Sequence, residues 1–137
     1  MLSTETRGTM PIHLDVSHLD RVVIAVVIGD ASAAEVMDLG RRFSEAGTRH
    51  YRKILDTTAG ALIMNDAEVA ALVEQLRGRP NADARGPLAF VVDPLRAAPV
   101  AEKYAELTAG ERPVKIFHSL HAARRWLDEH SAIMPRR

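Results

Sequence analysis

The stretch R-V-V-I-A-V-V-I-G, at residues 21–29, indicates the fold class of this chain. Its β-branched residues fall on both faces of an extended chain, which is typical of a strand buried on both sides and therefore central in its sheet. Just before it, Ile12, Leu14 and Val16 alternate with polar neighbours, the period of a half-buried strand. Because residues 17–20 form a short link, the two strands are predicted to pair as an antiparallel hairpin.

Helix-start signals follow the hairpin. Ser32 and Glu35 have the spacing of a capping box, in which both side chains satisfy free N–H groups at the helix start. Asn65 offers a second helix start, Pro99 fits the first turn of a third helix, and Ser119 can cap a fourth. The sequence therefore predicts four helices.

Three short segments, at residues 52–56, 88–92 and 114–117, are predicted as strands between these helices. Strands that alternate with helices imply right-handed crossovers and parallel pairing. The sequence thus predicts an α/β fold in the order β-β-α-β-α-β-α-β-α, with helices packed on a mixed, mostly parallel sheet that begins with an antiparallel hairpin. The polar segment at residues 78–86 is interpreted as a surface loop.

Length and composition bound the organisation. The chain of 137 residues fits one domain, which we place at residues 11–131, with a disordered or loosely attached segment at residues 1–10 and a frayed tail at residues 132–137. Cysteine is absent, which excludes disulfides, thiolate nucleophiles and cysteine-based zinc sites. The net charge of zero argues against a nucleic-acid binder. Since no long apolar run or signal-peptide core is present, we expect no membrane span and a cytoplasmic location.

The carboxyl ends of parallel strands form the usual ligand crevice in sheets of this kind. Here the loops after those ends are predicted to begin at Asp56, Asp93 and His118. Arg96 can reach into the crevice to bind a carboxylate or a phosphate, and His118 can act as an acid or base near neutral pH. The candidate ligand-binding residues are Asp56, Thr57, Thr58, Asn65, Asp93, Arg96, His118 and Ser119.

The same residues also have plain structural interpretations. Asp and Thr side chains commonly bond local backbone, and the Asp93-Pro94 pair suits a turn that ends a strand. His118 and His121 share a helix start but are too few for a metal site, so we expect none. No Gly-rich phosphate loop is present, so we expect no cofactor.

Three segments of the chain carry a family resemblance. They are R-K-I-L-D at residues 52–56, L-A-F-V-V at residues 88–92, and V-K-I-F at residues 114–117 together with A-A-R-R-W-L at residues 122–127. They resemble the STAS fold of anti-sigma-factor antagonists and, in detail, the SpoIIAA-like group of small bacterial proteins. The resemblance covers residues 11–130 and implies the same order of strands and helices.

The resemblance also bears on phosphorylation. Phosphorylated STAS proteins carry a phosphoacceptor serine at the start of the second helix, which a partner kinase recognises. The matching stretch here, M-N-D-A-E at residues 64–68, contains no Ser or Thr. The resemblance therefore implies no phosphorylation site in this chain.

Three functions remain open at this point. We expect a non-enzymatic domain that binds a regulatory protein partner or a small ligand at the loops after the strand ends, with a homodimer as one possible assembly. The alternative, which similarity to the SpoIIAA-like group also implies, is a carrier of an apolar or lipid-like ligand in a pocket between helices, with Tyr104 and Trp126 as walls. A second alternative is a small enzyme that uses Asp56 and His118.

Overall fold

The structure, a computed structural model, describes residues 11–79 and 85–130. In these residues the chain forms five strands and four helices in the predicted order. The predicted loose N-terminal segment and frayed C-terminal tail lie outside the described residues. The elements are β1 (Ile12–Ser17), β2 (Val22–Ser32), α1 (Ala33–Glu45), β3 (Arg52–Ile63), α2 (Asp66–Arg77), β4 (Leu88–Val91), α3 (Pro99–Leu107), β5 (Val114–Phe117) and α4 (Leu120–Asp128).

All five strands belong to one mixed sheet, in the spatial order β1-β2-β3-β4-β5. β1 and β2 pair antiparallel, with Ile12 opposite Val27 and Ser17 opposite Val22. The other neighbouring strands pair in parallel. The predicted α/β class, the leading hairpin and the mostly parallel sheet are therefore confirmed.

Helices cover the two faces of the sheet unequally. α1, α2 and α3 pack on one face, over a core that includes Leu55 and Phe90. α4 packs on the other face, over Ile54 and Val91, and its contacts with the sheet lie mainly on β3, β4 and β5. The prediction that β2 is buried on both sides is therefore wrong for its outer part, where Ile28 is 52% exposed.

β3 is much longer than the predicted strand at residues 52–56 and continues to Ile63. Its parallel pairing with β2 resumes after a bulge and runs to the end of both strands. Gly60 allows this close pairing, because a Cβ atom there would lie 2.3 Å from the carbonyl oxygen of Gly29. As a correction to the prediction, residues 56–58 therefore lie inside a strand and do not begin a loop.

The helix starts follow the sequence signals. Ser32 Oγ accepts a hydrogen bond from the Glu35 N–H at 3.3 Å, and the Glu35 carboxylate accepts one from the Ser32 N–H at 2.8 Å. This confirms the predicted capping box. Asn65 forms the equivalent box with Glu68 at the start of α2.

The described ends of the predicted surface loop at residues 78–86 differ from each other. Gly78 is exposed, whereas Arg85 and Gly86 are buried. The Gly86 N–H donates to the carbonyl oxygen of Arg49 at 2.9 Å, and a Cβ atom at Gly86 would lie 2.2 Å from the carbonyl oxygen of Tyr51. The loop thus enters the interior just before β4, which corrects the surface assignment for this end.

Candidate functional site

The polar residues predicted at the carboxyl end of β3 bond to their own surroundings. Asp56 Oδ1 accepts hydrogen bonds from the N–H and the hydroxyl of Thr58, at 2.9 and 2.7 Å. Thr57 is buried, and its hydroxyl donates to the carbonyl oxygen of Val91 at 3.1 Å. These side chains therefore form hydrogen bonds within β3 and between β3 and β4.

Arg96 and Asp93 line a crevice of about 230 Å³ between β3 and the start of α3. One Arg96 guanidinium nitrogen donates to the carbonyl oxygens of Thr57 and Gly60, both at 3.1 Å. Its Nε lies 3.4 Å from a carboxylate oxygen of Asp93, which offsets the positive charge. Arg96 thus holds the extended part of β3 against the loop after β4.

The remaining residues predicted at this edge act mainly as caps. Ser119 Oγ accepts from the Ala122 N–H at 3.1 Å and begins α4, as Asn65 begins α2. His118 Nδ1 lies 3.4 Å from the carbonyl oxygen of Val92. Within residues 11–79 and 85–130 the structure shows no hydrogen bond between Asp56 and His118.

The two predicted pocket walls lie on opposite faces of the sheet. Tyr104, on α3, is buried and packs edge-to-face against Phe90. Trp126, on α4, packs against Phe117 and His130 on the other face. Because the sheet lies between them, Trp126 and Tyr104 do not share a cavity.

A cavity of about 90 Å³ lies between the sheet and the layer formed by α1, α2 and α3. Most of its lining is aliphatic or aromatic, and Tyr104 is one of its walls. Helix residues that line it include Val36, Leu39, Leu72 and Val100. Such an apolar space with a few polar groups at one end is the usual form of a small-molecule site.

Four basic side chains form the polar end of this cavity: Arg49, Lys53, Arg85 and Arg112. We call them the basic cluster. The topology brings them together, because Arg49 precedes β3, Arg85 precedes β4, Arg112 precedes β5, and Lys53 is the second residue of β3. Since these three strands are parallel, their amino ends meet at one edge of the sheet. The basic cluster therefore lies at the edge opposite to the predicted crevice.

Lys53 is buried, with 5% of its surface exposed. Its Nζ donates to the carbonyl oxygens of Arg49 at 2.7 Å and Tyr51 at 2.9 Å. Nζ also lies 5.1 Å from the centre of the Phe43 ring. Burial lowers the pKa of Lys53 well below its usual value, and the charges of the three arginines lower it further.

Arg112 bridges the cluster to the Tyr104 wall. Its Nε and one Nη donate to the carbonyl oxygen of Gly86, at 2.8 and 2.5 Å. The other Nη lies 3.3 Å from the Tyr104 hydroxyl oxygen. Burial lowers the pKa of Arg112, and the charge of Arg85 acts in the same direction.

Among the described residues, the structure shows one carboxylate bonded to the basic cluster, that of Glu111. Its Oε1 lies 3.2 Å from Arg85, while its Oε2 bonds to Arg77 outside the cavity. Lys53 and Arg112 form no ion pair with any carboxylate of the described residues. Burial and the charges of Arg85 and Arg112 also lower the pKa of Arg49. Burial and the charges of neighbouring arginines thus lower the pKa of Arg49, Lys53 and Arg112 alike.

Scans against protein-family models and against curated proteins find no match for this chain. The resemblance to STAS proteins therefore stays a prediction. In the described part of the chain, no three His, Asp or Glu side chains are grouped to hold a metal ion. Nor is any described helix both long and apolar enough to cross a membrane.

The basic cluster lies away from the carboxyl ends of the strands, where the sequence predicts a ligand crevice, and the sequence gives little indication of it. Its members are spread over residues 49–112 and form no motif. One signal was available, since a basic residue stands at or just before the start of each of the last three strands. This pattern brings the basic residues together only if the three strands pair in parallel.

Proposed function

We propose that this protein binds a small, largely apolar molecule in the cavity between the sheet and α1, α2 and α3. The observation that carries the proposal is the cavity itself, whose apolar lining ends in the basic cluster. This is the pocket alternative from the sequence, with Tyr104 as a wall but without Trp126.

The cavity volume bears on the size of the ligand. An engineered apolar cavity of roughly 150 Å³ in another protein takes up benzene, and the cavity here has about 90 Å³. The volume favours a short ligand of a few carbon atoms over a lipid-like chain.

The carboxyl edge offers less to a ligand. Arg96 is engaged by Asp93 and by two carbonyl oxygens, and the polar side chains of Asp56 and Thr57 are bonded within the sheet. The crevice at that edge is therefore weak support for a domain that binds a partner or a small ligand at the loops after the strand ends. The cavity gives stronger support to a pocket between the helices.

Uncharged 1-pentanol tests the proposal, because it fills an apolar cavity without engaging the basic cluster. We expect ligand-observed NMR to detect saturable binding to the wild-type protein. Val36→Phe, on α1, narrows the cavity and should abolish binding. Val26→Phe is the matched control, since Val26 lies on β2 and is not part of the cavity lining. Equal binding of 1-pentanol by both variants, or none by the wild type, would contradict the proposal.

A further inference from the structure

The polar end of the cavity indicates the chemical class of the ligand, an inference that rests on the proposed function. Burying a charge is unfavourable unless a partner compensates it. Here Lys53 is 5% exposed and is bonded to neutral carbonyl oxygens, at 2.7 and 2.9 Å. A buried cation in a cleft, with its pKa displaced by burial and by neighbouring charges, is characteristic of a binding or catalytic site.

We propose that the ligand is a short-chain carboxylate, with its carboxylate group against Lys53 and Arg112 and its alkyl chain between α1, α2 and α3. An anion at this position would meet the Lys53 amino group and the Arg112 guanidinium, whose hydrogen bonds in the described residues go to carbonyl and hydroxyl oxygens. It would also remain in contact with the apolar lining through its carbon atoms.

Hydrogen-bonding capacity is available for such a group. A lysine ammonium has three donors, and the structure shows two of them used by Lys53, toward Arg49 and Tyr51. Arg112 directs Nε and one Nη to Gly86 and the other Nη to Tyr104, which leaves further N–H groups of its five. The Tyr104 hydroxyl, beside Arg112, can also donate.

The backbone around the cluster holds these donors in place. The Lys53 N–H donates to the carbonyl oxygen of Pro87 at 2.8 Å, and the Gly86 N–H donates to Arg49 at 2.9 Å. Gly86 packs so closely on Tyr51 that a side chain does not fit there. The starts of β3 and β4 therefore fix the backbone from which these donor side chains extend.

Valerate and 1-pentanol form a matched pair of probes, because they share a chain length and differ in the carboxylate. At pH 7 and low salt we expect calorimetry to show valerate binding the wild-type protein at least about tenfold more tightly than 1-pentanol. Lys53→Met should weaken valerate binding and so remove most of that preference. Lys115→Met, at an exposed lysine of β5, is the control and should change neither affinity.

The outcomes separate the two proposals. If both probes bind the wild type equally, the carboxylate assignment is overturned while the proposed function stands. If neither binds, the proposed function itself fails. If methyl phosphate binds and valerate does not, the site binds anions but the assignment to a carboxylate is wrong. Should Lys53→Met fail to fold, Arg112→Gln provides a second variant, and an unchanged preference for valerate in it would count against the inference.

Discussion

Replacement of Lys53 by Met should change how the stability of this protein depends on pH. Burial and three arginines lower the pKa of Lys53 in the folded state well below its usual value. In the unfolded chain the lysine has a pKa of about 10.4. Between these two values the unfolded chain binds the additional proton, so the free energy of unfolding of the wild type rises with pH by up to about 1.4 kcal/mol per pH unit.

The Met variant lacks this titration. It loses the hydrogen bonds from Lys53 Nζ to the carbonyl oxygens of Arg49 and Tyr51, but it also loses the cost of burying the amino group. The difference in the free energy of unfolding at one pH is therefore less informative than the way that difference changes with pH. Between pH 7.5 and 9.5 the wild type should gain on K53M by up to about 1.4 kcal/mol for each pH unit over which folded Lys53 is uncharged.

Urea unfolding at several pH values measures this difference directly. K115M should follow the wild type across the range, because Lys115 is exposed. His50, whose pKa is lowered by burial and by Lys53, titrates below this window and does not contribute. Parallel curves for the wild type and K53M from pH 7.5 to 9.5 would refute the reasoning, since Lys53 would then titrate as an ordinary exposed lysine.

Three other predictions concern the fold and the two edges of the sheet. Gly60→Ala should cost about 3 kcal/mol or more in urea unfolding, because its Cβ would lie 2.3 Å from the Gly29 oxygen, whereas Gly78→Ala, with its nearest contacts at 3.7 Å, is the control and should be nearly neutral. Arg96→Met should lower the free energy of unfolding by about 1 kcal/mol, because the hydrogen bonds to β3 are lost. It should leave the affinity for valerate unchanged, and a large loss of binding would instead favour the crevice at the carboxyl edge as the site. Ser32→Ala removes the capping box of α1 and should cost about 1 kcal/mol in thermal unfolding, and an unchanged melting temperature would show that the cap contributes nothing.

The elements that local chemistry determines could be predicted from the sequence. The hairpin follows from alternating and continuous apolar strands joined by a short link, and the capping box of α1 follows from the spacing of Ser32 and Glu35. Each of these signals depends on residues that are close in the chain. The predicted order of strands and helices rests on the same local information.

The length of β3 and the position of the cavity depend on distant partners. β3 continues past residue 56 because β2 pairs with it beyond a bulge, and Gly60 allows the two backbones to approach. The basic cluster is assembled by three chain segments that meet only when β3, β4 and β5 align in parallel. A lysine in the middle of an apolar segment also gives no indication of whether its side chain points inward.

The central claim is that the ligand binds at the amino edge of the parallel strands, inside the helix-covered cavity. Titration of ¹⁵N-labelled protein with valerate, followed through backbone amide shifts, tests it most directly. We predict shifts at Lys53, Gly86 and Arg112 and along α1, α2 and α3. Shifts confined to residues 56–58, 93–96 and 118–119, at the opposite edge, would contradict the claim.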